Sequence, residues 1–475
     1  MFNRQQTGMP RPGGGGWGSG PGDRHLGPLL LVLAAVVGLT GCEPQADPAP
    51  PHVVIVVVDT LRADAVDLED VDAPGAFFRR FAETATVYHQ ARANAPWTLP
   101  SHASMLTGLL PSSHNVHWRS RKLDAAHRTL AERLAEAGYG SLALVENAWL
   151  LPRFGVTRGF EEVRLTKADY FDRVEPDGDD IVTTLDGLVD ELDWSRPQLL
   201  LVNIVDVHAP YGVGLGQHEI SEPSRYLCRE YEGREEDLAT LRRLYRLDVE
   251  RAAKKVGLLL DSVGRAIDLG EALIVLVSDH GEHLGEQGIV SHHFSVYESL
   301  LRVPLMVHKP GQTRRRDVHV PVSLVDLTPS ILAAAGLAAS GTDGVDILGR
   351  ARPHPHFAEY VEPDPGDGGT DQWWIKLTDE IRRHCEPGSA FHGDFFAVVD
   401  RDLKMISASD GRRMLFDLAA DADESVDLAA RDAERLARLQ ELLPRTRVAD
   451  VGEEGEPPID DELLERLRTL GYIDG

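Results

Sequence analysis

Three apolar runs constrain this chain more than anything else in it: HVVIVVV (52–58), QLLLVNIV (198–205) and ALIVLV (272–277). Runs of this length without polar alternation suit strands covered on both faces, as in a parallel sheet flanked by helices. Each run stops at a polar cluster: Asp59-Thr60, Asp206-Val207-His208 and Ser278-Asp279-His280. Ligands in open α/β sheets bind beyond the carboxyl ends of the strands, so these three ends are expected to bring Asp and His to one edge.

Helical patterns fall between the runs. TLAERLAEAG opens with Thr129 and Glu132 as a capping box and stops at Gly138. EDLATLRRLYRLDVERAAKKVGLLLDSV (236–263) has long amphipathic periodicity, and SLVDLTPSILAAAG (323–336) is a further helix with Pro329 at a kink. Strand and helix in alternation predict an α/β fold around a mainly parallel sheet, spanning 52–350. Past residue 350, FFAVV, LKMIS and RRMLFDL read as short strands, with SDG as a turn. The helices DAERLARLQELL and IDDELLERLRTLGY follow, so 351–475 is expected to form a small antiparallel C-terminal subdomain.

The net charge of −27 over 475 residues argues against nucleic acid as a partner, which would call for a basic face. Ahead of the first strand, a Gly-rich stretch carrying Arg4, Arg11 and Arg24 leads into GPLLLVLAAVVGLTGC. That apolar length suits a signal-peptide core and is short for a membrane span. Leu39-Thr40-Gly41-Cys42 resembles the bacterial lipobox. The resemblance implies a lipoprotein signal over 1–42, a lipidated Cys42, and a chain held on the periplasmic or extracellular side of the cell envelope. Residues 43–51 then read as a Pro-rich tether. Cys228 and Cys385 are far apart, and their spacing does not decide whether they pair.

Asp59 and Asp279-His280 place hard and borderline ligands at two strand ends, a donor set that suits Zn²⁺, Mn²⁺, Mg²⁺ or Ca²⁺. In APWTLPSHASMLTG (95–108), Pro100 fits the first turn of a helix, which puts Thr98 where unpaired N–H groups and the helix dipole favour negative charge. Two roles stay open at this point: Thr98 or Ser101 caps the helix, or Thr98 is a nucleophile. His208, His280 and His292 each follow a strand or lie in the loop beyond it, a placement that points to a site.

Taken in order, PHVVIVVVDTLRAD, APWTLPSHASMLTGLLPSSHNVH, RFGVTRGFE, VDVHAPY, VSDHGEHLGEQG and YESLLRVPLMVHKPG resemble the sulfatase family of the alkaline phosphatase superfamily, over residues 51 to 475. The resemblance implies an α/β sandwich with a large, mostly parallel sheet and a smaller C-terminal sheet. It implies Asp59, Asp279 and His280 as metal ligands, Thr98 as nucleophile and His208 at the substrate or leaving group. His292 or His293 falls where the family places a substrate-binding Lys or His, and His102 replaces the motif's Arg. Sulfatases carry a Cys or Ser that is converted to formylglycine, and here that position is Thr98, so no formylglycine is expected. Thr60 stands where a second acidic ligand is usual.

These departures are similar to relatives that act on phosphorus. They imply a lipid-anchored hydrolase of phosphate or phosphonate esters using one divalent metal, Zn or Mn ahead of Ca or Mg. A second metal on His208, His292 and Asp206 is a further option. The substrate would be a small anionic ester or a lipid- or glycan-linked one. Alternatives are a sulfuric ester hydrolase without formylglycine, a phosphoethanolamine-type transferase, and a degenerate binding lipoprotein.

Overall fold

The strand Val53–Val58 sends alternate side chains into two separate cores: Val53, Ile55 and Val57 into one, Val54, Val56 and Val58 into the other. A strand with no exposed face can only lie inside a sheet covered on both sides. In the computed structural model, which describes residues 49–70, 75–166, 180–212, 226, 233–363 and 393–443, it lies at the centre. Ala49–Gly475 clusters as a compact unit apart from Met1–Pro48. The leader with Cys42, Cys228, Cys385 and the IDDELLERLRTLGY segment lie outside the described residues.

In chain order the strands are β1 (Val53–Val58), β2 (Thr86–Tyr88), β3 (Ala91–Arg92), β4 (Gly140–Val145), β5 (Glu162–Leu165), β6 (Gln198–Ile204), β7 (Leu273–Val277) and β8 (His283–Leu284). They continue as β9 (Val290–Ser291), β10 (Leu305–His308), β11 (Arg316–Val318), β12 (Val322–Ser323), β13 (His356–Tyr360), β14 (Phe395–Asp400), β15 (Leu403–Ala408) and β16 (Arg413–Asp417). The main sheet has the order β11-β2-β10-β7-β1-β6-β4-β5. β7, β1, β6, β4 and β5 are parallel, and β10 runs against both its neighbours.

The helices Thr98–Thr107, Leu130–Glu136 and Leu327–Ala334 cover one face. Ala76–Ala82, Ile181–Val189 and the long Arg234–Gly264 cover the other. The capping box holds in both directions: Thr129 accepts from the Glu132 N–H, and the Glu132 carboxylate accepts from the Thr129 N–H. Pro329 makes no kink. The bend lies ahead of it, where a 3₁₀ turn at Leu324–Asp326 meets the α-helix, and Pro329 sits in the first α-turn, where no N–H is required.

The second sheet, β13-β14-β15-β16, is wholly antiparallel. One of its faces joins the core of the main sheet through Ala358, Tyr360, Phe395, Ala397, Ile406 and Phe416. The other packs Val398, Met405 and Leu415 against Leu439 of the helix Ala433–Leu442. A buried charge cluster also ties it down. Lys404 Nζ lies 3.0 Å from Glu298 and 2.8 Å from Glu424, and Arg92 donates to both oxygens of Glu298.

Candidate active site

Because β7, β1, β6 and β4 are neighbours, four strand ends open on one edge. β1 runs into Asp59, β7 into Ser278-Asp279-His280, β6 into Asp206 and His208, and β4 into Glu146-Asn147. Ser278 fastens two of these ends together. Its hydroxyl donates to the His280 carbonyl at 2.7 Å and accepts from the Leu61 N–H at 2.9 Å. Thr60 adopts φ 57°, and its hydroxyl donates to the Asp59 carbonyl at 2.7 Å. A left-handed turn at this β-branched residue is strained, and the loop after β1 departs sharply from the strand as a result.

Asp59, Asp279 and His280 are fully buried, and one ligand atom from each lies within 4.8 Å of the others. His280 Nδ1 lies 2.9 Å from the Gly281 carbonyl and so carries the proton, which leaves the Nε2 lone pair facing inward. That Nε2 is 3.5 Å from Asp59 Oδ1 and 3.5 Å from Asp279 Oδ2, and neither oxygen has a hydrogen-bond partner. Three acceptors thus converge with no proton to share, an arrangement that a divalent cation satisfies. Burial, and then the Asp59 charge, pushes the Asp279 carboxyl well up, while burial pushes His280 well down. A cation among them reverses the carboxylate's penalty and keeps the imidazole neutral. The residues therefore fit a divalent metal.

Thr98 is the first residue of its helix and is fully buried. Trp97 occupies the N-cap without a side-chain bond, and the Ser101 hydroxyl donates instead to the Asp279 carbonyl at 2.6 Å. Thr98 Oγ1 lies 3.5 Å from His280 Nε2 and accepts from Asn147 Nδ2 at 3.1 Å; the same amide donates to Asp59 Oδ2 at 2.8 Å. Asn147 thereby sets the hydroxyl beside the ligand group. Its own oxygen is held by the Trp149 N–H at 3.0 Å.

His102, one turn along the helix, donates from Nδ1 to the Thr98 carbonyl at 2.9 Å and lies 3.4 Å from Asp279 Oδ2. Its burial lowers it to about 4, so the ring is neutral near pH 7. His292 brings the remaining histidines together, with ring centroids 4.7 Å from His280, 5.0 Å from His208 and 4.5 Å from His293. Its Nδ1 faces the Glu282 carboxyl at 3.3 Å. Burial pushes Glu282 up to about 8. His208 Nδ1 donates to the Ala209 carbonyl at 2.7 Å. Behind His293 stands an aromatic wall: Trp118 is stacked on Trp97 at 4.1 Å, with Trp149 edge-on to both.

A second metal on His208, His292 and Asp206 is not supported. Asp206 is engaged by Lys255 Nζ at 2.5 Å, and the one metal-holding group found among the described residues is Asp59, Asp279 and His280. Asn147 and Glu282 are the site residues that the sequence analysis missed. SLALVEN shows the pattern that was available: a short apolar run ending in a polar pair.

The sulfatase family model matches residues 51–337. The choline-sulfatase of Rhizobium meliloti is 23% identical over 458 residues, covering 80% of this chain and 82% of that protein. A low-salt glycan biosynthesis sulfotransferase of Haloferax volcanii is 28% identical over 301 residues, covering 62% and 64%. Among solved structures, the phosphonate monoester hydrolase of Agrobacterium radiobacter superposes with a TM-score of 0.66 at 18% identity, over 83% of this chain and 97% of that one. A 2-O GAG sulfatase gives 0.64 at 17% identity, over 83% and 91%. These superpositions bear out the expected α/β fold, with its large, mostly parallel sheet and small antiparallel one. With the family match covering more than half of its length, the chain belongs to the sulfatase family and is a hydrolase acting on ester bonds.

Proposed function

We propose that the chain cleaves a phosphate or phosphonate ester through Thr98, which is covalently phosphorylated in passing. The observation that carries this reading is a buried threonine hydroxyl at a helix N-terminus, 3.5 Å from His280 Nε2 and steadied by Asn147. Oxidising a threonine at Cβ would give a ketone, because that carbon bears a methyl group, so the side chain cannot supply the sulfatase aldehyde. It can act as an alcohol, and its β-branch limits it to few rotamers.

A divalent cation held by Asp59, Asp279 and His280 would supply positive charge that favours ionisation of a neighbouring hydroxyl and offsets charge on the ester oxygens. Thr98 Oγ1 loses its proton to solvent, aided by the positive end of its helix, and forms a bond to phosphorus. The bond from phosphorus to the leaving oxygen breaks, and His208, whose Nδ1 keeps its proton on the Ala209 carbonyl, gives that oxygen an Nε2 proton as the imidazolium and takes one back from the water that attacks the phosphothreonine. Water then hydrolyses the phosphothreonine and regenerates the hydroxyl. His292 and His293 line the side on which the ester oxygens would sit, and the Trp118 wall offers an apolar surface to the organic group. The protein would be anchored through Cys42 in the cell envelope, where lipid- or glycan-linked esters are within its reach.

The test compares initial rates on nitrophenyl sulfate, phosphate, phosphate diester and phosphonate monoester, with Zn²⁺ or Mn²⁺ added. Phosphorus esters should be cleaved, and Thr98→Ala should lose at least about 10³-fold in kcat while melting as the wild type does. Turnover of sulfate alone, or wild-type turnover by the variant, would sink the proposal. Lipidation is tested separately, by labelled fatty acid that enters the wild type and not Cys42→Ser.

A further inference from the structure

The helix Arg234–Gly264 lays an apolar side on the second core of the sheet, and Lys255 points into that side. At 100° per residue it lies within about 60° of Asp248, Ala252 and Leu259. All three are buried, and the Lys255 side chain is itself only 18% exposed. Its ammonium ends between two carboxylates that follow neighbouring strands. It lies 3.2 Å from Glu146 Oε1, just past β4, and 2.5 Å from Asp206 Oδ2, just past β6. Both carboxylates are buried, and both are tied to the site. Glu146 Oε2 accepts from the Val205 N–H at 2.9 Å, and the Glu146 N–H donates to the Asn203 carbonyl at 3.1 Å. The next residue is Asn147, whose N–H donates to Asn203 Oδ1 at 3.2 Å and whose side-chain amide holds Thr98. Asp206 stands two residues before His208, whose N–H donates to the Val205 carbonyl at 3.0 Å.

We propose that Lys255 is a positioning residue for ester hydrolysis. It offsets the repulsion between Glu146 and Asp206, and so holds the ends of β4 and β6 together with Asn147, and through it the Thr98 hydroxyl, aligned with His208. The inference rests on Thr98 as the reacting group. Lys255 acts only through its two carboxylate partners. Two like charges gripped by one ammonium, in a place where water does little to screen them, repel strongly once that ammonium is gone. They sit immediately beyond Val145 and Asn203, the last pair of the β4–β6 ladder, so nothing in the sheet resists their parting. Parting carries Asn147 away from Thr98. A shift of a fraction of an ångström matters there, because attack on phosphorus demands an aligned oxygen. An ion pair kept only for stability would change the amount of folded protein and leave the alignment within it untouched.

The test is a set of rate comparisons on the nitrophenyl ester that the wild type turns over fastest, with Zn²⁺ or Mn²⁺ saturating. Lys255→Met should lower kcat about 10- to 100-fold and leave KM within about twofold. Adding Asp206→Asn removes the repulsion and leaves Glu146 to accept from Val205, so it should restore most of the lost kcat. In an Asn147→Ala background, Lys255→Met should cost less than about threefold, because both act on the same hydroxyl. Wild-type kcat in Lys255→Met, a fall matched by loss of folded protein in circular dichroism, no recovery on Asp206→Asn, or losses that multiply with Asn147→Ala would each overturn the proposal. Should Lys255→Met not fold alone, Asp206→Asn with and without it decides: the two should agree within about threefold, and a larger gap overturns the proposal. An active Thr98→Ala would instead overturn the reading of the nucleophile. Multiplying losses beside an inactive Thr98→Ala would sink this inference alone.

Discussion

Asn147 is the residue on which the geometry of Thr98 turns. One amide group donates to both the Thr98 hydroxyl and Asp59, so it couples the reacting oxygen to the ligand set. Asn147→Ala should leave the ligands in place but release Thr98. We expect kcat to fall about 10- to 100-fold with little change in KM, which steady-state rates would show. His114 makes a different demand. Its Nδ1 accepts from the Val116 N–H at 3.0 Å, so Nε2 carries the proton and donates to Ser104 Oγ at 3.0 Å. The bond from Val116 requires the neutral ring, since a protonated Nδ1 cannot accept, and burial lowers the histidine to about 3. Between the unfolded value of 6.5 and that depressed value, the unfolded chain takes up a proton that the folded one refuses, so stability falls as pH drops through this window. Urea unfolding of wild type and His114→Gln should therefore converge by about 2 kcal/mol between about pH 7 and about pH 5. A gap that is constant with pH would mean that the histidine titrates normally in the fold.

Among the elements, the loop after β7 is fixed by backbone as much as by side chains. Gly281 N donates to the Leu300 carbonyl at 2.7 Å and Glu282 N to the Ser299 carbonyl at 3.0 Å. A Cβ on Gly281 would come within 2.1 Å of the Ser299 carbonyl oxygen, which is backbone and has no rotamer to escape into. Gly281→Ala should displace His280 and Glu282 together, costing at least about 2 kcal/mol and weakening Zn²⁺ binding measured by calorimetry. The central strands β1, β6 and β7 were legible in the sequence because burial on both faces forbids polar residues, which makes the runs and their Asp and His ends conspicuous. β4 was not. It begins Gly140-Ser141, small residues that blur the apolar run, and with the strand unseen Asn147 went unseen too. Glu282 was hidden differently, in a stretch read for its histidines. The short β2, β5 and β10 owe their existence to partners distant in sequence, which no local pattern announces.

Across the whole molecule, the two sheets are joined by apolar packing and by one buried charge cluster. Lys404 is fully buried between Glu298 and Glu424. The guanidinium of Arg92 and the ammonium of Lys404 hold Glu298 well below the usual carboxylate range, whereas burial raises Glu424 to about 7. Removing the lysine strands charge where water cannot reach it. Lys404→Met should cost about 3–5 kcal/mol, read as a lowered urea midpoint, and replacing Glu424 by Gln in the same chain should recover part of the loss. The central place of β1 has a consequence in time as well as in space. It is the earliest strand among the described residues, yet both of its neighbours, β6 and β7, come far later. While synthesis proceeds, its valines have nothing to pair with, and the sheet cannot close until β7 has emerged. Such long-range pairing slows folding. In the envelope placement proposed above, that delay would be an asset, because the nascent protein would stay extended until it had crossed the membrane.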